Sequence, residues 1–184
     1  KFIANEYDFE RRQEIAASER GYSEKVWSMF AELGWTAVPF AEDDGGFDGG
    51  PVELMVMMQQ FGRGLLVEPF LANVVLAGGA DEQKARWLPG CVSGEKILAV
   101  AITEPGAGSD VAGLKTRAED KGDHFVINGS KTWISNADVA DAIIYYAYTD
   151  RSKGAKGLSA FVVEVKNFND IRTTALDKMG SRSS

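Results

Sequence analysis

Apolar positions recur at helical spacing through the first half of this chain and at strand spacing through the second. Residues 5–19 combine charge with helix formers (Glu6, Glu10, Arg11, Arg12, Gln13, Glu14, Glu19), which predicts one helix ended by Gly21. Ser23 stands as an N-cap ahead of Val26, Trp27, Phe30 and Leu33, whose spacing gives a helix one apolar face, and Gly34 stops it at the C′ position. Residues 39–50 carry Gly45, Gly46, Gly49 and Gly50 and read as a loop, with Pro51 at the first position of the next helix. That helix, over 52–66, is apolar almost all round (Val52, Leu54, Met55, Val56, Met57, Met58, Phe61), so it is expected to pack on more than one side. A further helical stretch follows Pro69, and 81–88 predicts a short helix closed by Pro89-Gly90.

Beyond residue 96 the period falls to two. Residues 97–103 form a strand, and Leu114, Thr116 and Ala118 alternate with Lys115, Arg117 and Glu119. Lys121-Gly122-Asp123 turns the chain, and Phe125 and Ile127 alternate with His124 and Val126. Asn128-Gly129 is a hairpin signal, with 131–135 as the returning strand. Strands over 142–149, 158–166 and 171–174 follow, the first two joined by a flexible loop over 150–157. Short, evenly spaced strands with tight turns imply an antiparallel sandwich or barrel. The expected fold class is α+β, with an α-helical N-terminal domain over 1–98 and an antiparallel β domain over 99–184.

Composition narrows the function. A hydrophobic fraction of 45% and a charged fraction of 26% are those of a folded chain. The net charge of -7 is concentrated before residue 99, which argues against nucleic acid as a partner. No run is long enough for membrane insertion. Cys91 is the only cysteine and His124 the only histidine, so an intrachain disulfide and a metal site built on several Cys or His ligands are excluded; His124 reads as a surface strand residue, and no metal site is expected.

Candidate chemistry gathers where the two periods meet. The strand at 97–103 runs into Thr103-Glu104-Pro105-Gly106-Ala107-Gly108-Ser109-Asp110, a turn flanked by hydroxyls and carboxylates. A dinucleotide fingerprint would need glycine at Val111 and a following βαβ unit, and a phosphate loop would need Gly-Lys-Ser/Thr. Two readings stay open: an ordinary Pro-Gly turn, or a bend whose bare backbone N–H groups approach a ligand. Trp133-Ile134-Ser135, at the end of the expected returning strand, offers an indole face and a hydroxyl to a planar heteroaromatic ligand, or else a core tryptophan.

The order of motifs resembles the acyl-CoA dehydrogenase family of flavoproteins. The carriers are Ala101–Asp110 (A-I-T-E-P-G-A-G-S-D), Gly122-Asp123, Ile127-Asn128-Gly129, Lys131-Thr132-Trp133-Ile134-Ser135-Asn136 and Lys178-Met179-Gly180 with Arg182. Leu33-Gly34-Trp35, Phe61-Gly62-Arg63 and Gln83-Lys84 with Arg86-Trp87-Leu88-Pro89 resemble the family less specifically. The resemblance implies a helical N-terminal domain, a middle β-barrel domain that binds FAD, and a C-terminal helical bundle ahead of which this chain is truncated. It implies that Val100, Ala101, Ile102 and Thr103 line the flavin, that Gly108 and Ser109 touch cofactor, and that Ser109 also touches the acyl-CoA substrate. Trp133 and Ile134 pack beside the flavin, and Ser135 puts a hydroxyl near its N5 where the family often has threonine. The reaction implied is α,β-dehydrogenation of an acyl-CoA, with electron-transfer flavoprotein as acceptor, in a homo-oligomer (dimer or tetramer) of the bacterial cytoplasm or mitochondrial matrix. The family's base is a Glu in the C-terminal domain; no catalytic residue is assigned here, and Glu104 is left as part of the binding motif. The stretch around Gly79-Ala80-Asp81 is shorter than the family pattern.

Overall fold

The computed structural model describes residues 2–70, 79–174 and 176. These fall into two compact units, one ending at Leu98 and the other running from Ala99 to Leu176.

The first unit is helical: α1 (Phe2–Glu6), α2 (Phe9–Ala16), α3 (Glu24–Glu32), α4 (Pro51–Gly64) and α5 (Asp81–Val92). The single helix expected over 5–19 is two. Asp8 adopts extended backbone and its carboxylate accepts from the Arg11 amide at 2.8 Å, so it caps α2 instead of continuing α1. Ser23 caps α3 as its sequence foretells, and Gly34 closes it at φ 71°, a left-handed position that favours glycine. Val26, Trp27 and Phe30 are buried, whereas Leu33, at the C-cap, is exposed. Phe30 stacks on Phe61 at 5.4 Å and Phe61 meets Phe70 edge-on at 5.2 Å, which fixes α4 to α3. Contrary to expectation, α4 is buried along one line only: Phe61 is buried while Val52, Met55 and Val56 are exposed. Pro89-Gly90 does not end α5, which runs on to Val92 because Trp87, Leu88 and Cys91 bury its inner face on both sides of the proline. The stretch expected after Pro69 and the Lys178–Arg182 motif lie outside the described residues.

The second unit is a five-stranded sheet of β1 (Leu98–Ala101), β2 (Arg117–Asp120), β3 (Phe125–Asn128), β4 (Ala142–Tyr148) and β5 (Leu158–Glu164). β4 is central. It pairs antiparallel with β5 from Ala142↔Glu164 to Tyr148↔Leu158, and lies next to β1 and β2. β2 pairs antiparallel with β3 over Arg117↔Asn128 to Asp120↔Phe125, and parallel with β4 at Arg117↔Tyr148. The expected closed antiparallel barrel is therefore not what the described strands make. The sheet is open, includes one parallel contact, and leaves β1, β3 and β5 each without a second strand partner among the described residues. Residues 171–174 form no strand.

The turn expected at Lys121-Gly122-Asp123 is present, but the second hairpin expected at Asn128-Gly129 is not. The first joins β2 to β3, and in it the Lys121 amide donates to the His124 carbonyl at 2.9 Å. Gly129 serves close packing instead: a Cβ there would lie 2.6 Å from Cβ of the buried Thr116. With its partner already supplied by β2, β3 needs no returning strand, and 130–135 runs as irregular chain. The predicted alternation is kept: Leu114, Thr116 and Ala118 are buried between exposed Lys115, Arg117 and Glu119.

Candidate functional site

β1 delivers the first limb of the site. Ala99 and Ala101 point into a cluster with Ala140 and Ile143, so the half-buried Val100 lies on the opposite face of the strand. Ile102 packs towards Ala107, Leu114 and Tyr148. The Glu104 amide donates to the Ala107 carbonyl at 2.9 Å and the Ala107 amide returns a bond to Glu104 at 3.1 Å, so Pro105-Gly106 is a tight two-residue turn. Beyond it Gly108 and Ser109 are exposed. A Cβ on Gly106 or Gly108 would meet nothing within 4 Å, so the chain itself does not fill the space beside this backbone.

The second limb is 131–136. The Thr132 amide donates to the Thr103 carbonyl at 2.9 Å, which ties the two limbs side by side although no strand pairing joins them. Ile134 anchors its limb by packing on the Ala99–Ala101 cluster. Trp133 does the reverse. It is 59% exposed and sits at φ 59°, and Asn136 follows at φ 62°. Left-handed backbone at a bulky aromatic costs roughly 1–2 kcal/mol. The Trp133 backbone is strained and its indole lies outside the core of the described residues. Ser135 is exposed beside it.

Beneath the turn lies a feature that residue spacing did not reveal. Glu104 is 6% exposed and its carboxylate accepts from four donors. Oε2 accepts from the Lys115 amide at 2.6 Å; Oε1 accepts from the Thr116 amide at 2.9 Å, from the Thr116 hydroxyl, and from Lys131 Nζ at 3.0 Å. Lys131 also donates to the Ile102 carbonyl at 2.9 Å, and its side chain is 3% exposed. Burial alone pushes the Glu104 pKa up. The bonds from the Thr116 hydroxyl, the two amides and the Lys131 ammonium more than reverse this, and hold it at about 2. A carboxylate buried and held ionised by four donors is a poor proton acceptor at neutral pH, so Glu104 is a structural anion and not a base.

The sequence-predicted residues thus divide. Thr103, Trp133 and Ser135 are gathered on adjacent limbs; Gly108 and Ser109 stand exposed past the turn; Ala101 and Ile134 turn their side chains to the interior, with only backbone to offer. Lys131 and Thr116 were missed. Their partner is Glu104, 27 and 12 residues away, and no local periodicity signals such a pairing.

Residues 99–184 match the family described as "Acyl-CoA dehydrogenase, middle domain", and residues 1–95 match "Acyl-CoA dehydrogenase, N-terminal domain". The chain belongs to the acyl-CoA dehydrogenase family. Among relatives, it is 44% identical over 173 residues to a glutaryl-CoA dehydrogenase of Desulfococcus multivorans, covering 89% of this chain and 44% of that protein. It is 36% identical over 180 residues to a short-chain-specific acyl-CoA dehydrogenase of Clostridium acetobutylicum, covering 93% and 47%. Among solved structures, a glutaryl-coenzyme A dehydrogenase–glutaryl-CoA complex superposes with TM-score 0.85 at 39% identity, covering 99% of this chain and 48% of that one. An FAD complex of PigA superposes with TM-score 0.76 at 31% identity, covering 89% and 45%. This acyl-CoA dehydrogenase family chain spans about half the length of the curated relatives it matches. Among its described residues, no helix is long and apolar enough to cross a membrane.

Proposed function

We propose that this chain is the FAD-carrying portion of an acyl-CoA dehydrogenase that converts an acyl-CoA thioester to its 2-enoyl-CoA. The observation that carries the reading is the exposed Trp133 indole, held at φ 59° and roped to Thr103 through the Thr132 amide. The strip fits a flavin chemically. It offers an indole face, the hydroxyls of Thr103 and Ser135, and strand-end backbone at Val100–Ala101, while Gly106 and Gly108 leave room beside the turn. When bound, FAD supplies the hydride acceptor, a chemistry no side chain here can provide. The chain's own residues orient. Thr103 and Ser135 present donors at the ring edge, Trp133 covers a face and excludes water, and Gly108 with Ser109 takes cofactor and the thioester arm. The proton α to the thioester must leave to a desolvated carboxylate, and Glu104, locked by four donors, does not serve.

The same proposal includes the division of labour between residues 1–98 and 99–184, and closure of the sheet into a barrel by strands beyond those described. It also includes an electron-transfer flavoprotein as acceptor, a homo-oligomer, and a location in a bacterial cytoplasm or mitochondrial matrix. Support for these comes from relatives named as bacterial and mitochondrial acyl-CoA dehydrogenases. The test is flavin absorbance of the full-length protein, titrated anaerobically with glutaryl-, butyryl- and isovaleryl-CoA, then reoxidised by electron-transfer flavoprotein or O2. Bleaching by at least one thioester is expected. A colourless protein that takes up no FAD overturns the proposal.

A further inference from the structure

We infer that Lys131 is a positioning residue of the cofactor strip, acting through the Ile102 carbonyl and the Glu104 carboxylate; this rests on the flavin reading above. Burying a lysine and a glutamate together costs several kcal/mol of hydration per ion, and a buried pair often adds nothing over an apolar pair of the same shape. Stability gained over an apolar pair is therefore a weak reason for this arrangement, and its geometry supplies another. Lys131 Nζ bonds the carbonyl of Ile102 on one side of Thr103 and the side chain of Glu104 on the other, at 2.9 and 3.0 Å. The next amide in the chain, Thr132, bonds Thr103 itself at 2.9 Å, and Trp133 follows in its left-handed conformation. Two consecutive residues of one limb thus grip three consecutive residues of the other. Thr103 and the indole are the two groups whose separation matters to a planar ring, and neither is fixed by a strand ladder. The far side of the grip is anchored too, because Glu104 is pinned by the Lys115 amide and by the Thr116 amide and hydroxyl at the entrance to β2.

An apolar residue at 131 would fill the site but release the Ile102 carbonyl and one bond to Glu104. The limbs would then be held by the Thr132 bond and the packing of Ile134, with nothing gripping Ile102 and Glu104, and the backbone at Trp133 would be freer to leave its strained conformation. The strip would loosen without the sheet unfolding, since β1, β2 and β4 keep their pairings.

The test uses full-length, FAD-loaded protein with Lys131→Met, Lys131→Arg and the doubly neutral Lys131→Met/Glu104→Gln. Readouts are the visible circular dichroism of the flavin, the rate of FAD loss on dilution, and far-UV circular dichroism for the fold. For Lys131→Met we expect flavin loss at least tenfold faster and a changed visible signal with far-UV signal intact, substantially restored by Lys131→Arg. The double variant, which leaves no lone buried charge, should fold yet share the flavin defect. Yellow Lys131→Met with wild-type spectrum and dissociation rate overturns the inference. So does flavin loss seen only together with loss of fold in both Met variants, which would make the pair merely structural. A wild-type protein that never binds FAD fails the functional proposal itself, so the two failures are distinct.

Discussion

Replacing Glu104 with glutamine tests the buried anion directly. A carboxyl with an ordinary pKa of 4.5 that falls to about 2 on folding contributes about 3 kcal/mol at neutral pH. The sign follows from the depressed value. The contribution is fully present above 4.5, where the unfolded chain is also ionised, and is lost as pH falls from 4.5 through about 2. Glutamine keeps one acceptor for the Thr116 donors but turns an amide nitrogen towards donors and leaves Lys131 without its counter-ion, so Glu104→Gln should be less stable by about 3 kcal/mol at pH 7. The gap should narrow steadily between pH 4.5 and 2. Exposed Glu119 and half-buried Asp150 also have lowered pKa values, from Lys121 and Ser152 respectively, but they titrate alike in both proteins and cancel in the difference. Urea unfolding at several pH values gives the gap, and the carboxyl-carbon NMR signal of Glu104 gives its titration. A midpoint near 4.5, or a stability gap that does not change with pH, would refute the donor network as the cause.

Gly129→Ala should cost about 2 kcal/mol, because the new methyl meets buried Thr116 at the point where its hydroxyl bonds Glu104; the urea midpoint measures it. Trp133→Gly should leave apo stability unchanged or raised by up to about 1 kcal/mol, through relief of the φ 59° backbone, while FAD retention falls; calorimetry with and without flavin separates the two. Tyr7→Phe removes the phenol that donates to Glu68 Oε2 at 2.9 Å, the side-chain donor of a buried carboxyl whose other oxygen has no close partner, at a cost of roughly 2 kcal/mol. Burial raises the Glu68 pKa, so its contribution is complete below about 4.5 and lost as pH rises through the folded value; the variant should steepen that loss in urea unfolding above pH 4.5.

What could be read beforehand followed the range of the interaction that decides it. Ser23, Gly34 and Pro51 act on neighbours within four residues, and each does what its chemistry dictates. Leu114, Thr116 and Ala118 alternate because burial on one sheet face is written in period two. Asn128-Gly129 misled because a turn signal is local while pairing is not. β2 had already taken the ladder of β3, and the glycine was needed against Thr116 for lack of room. The apolar surround of α4 misled similarly, since composition records that a helix can be covered and not what covers Val52, Met55 and Val56. The motif order singled out two stretches that the structure brings side by side, yet could not say that Ala101 and Ile134 point inward or that Trp133 is strained.

The chemistry of Thr103–Asp110 turns on a contrast between its two kinds of polar group. Thr103 and Ser109 have hydroxyls left half-buried or exposed, whereas Glu104, between them in sequence, is withdrawn and bound on both oxygens. Were Glu104 a free carboxylate facing the same space, its charge would oppose electron density arriving on a neighbouring ring. Sequestered against Lys131, it presents near-neutral surroundings to the strip while still fixing the backbone on either side. The turn thus keeps Glu104 internal and bound on both oxygens, while Asp110 at its far end stays exposed; in the reaction proposed above, the base is a carboxylate other than Glu104.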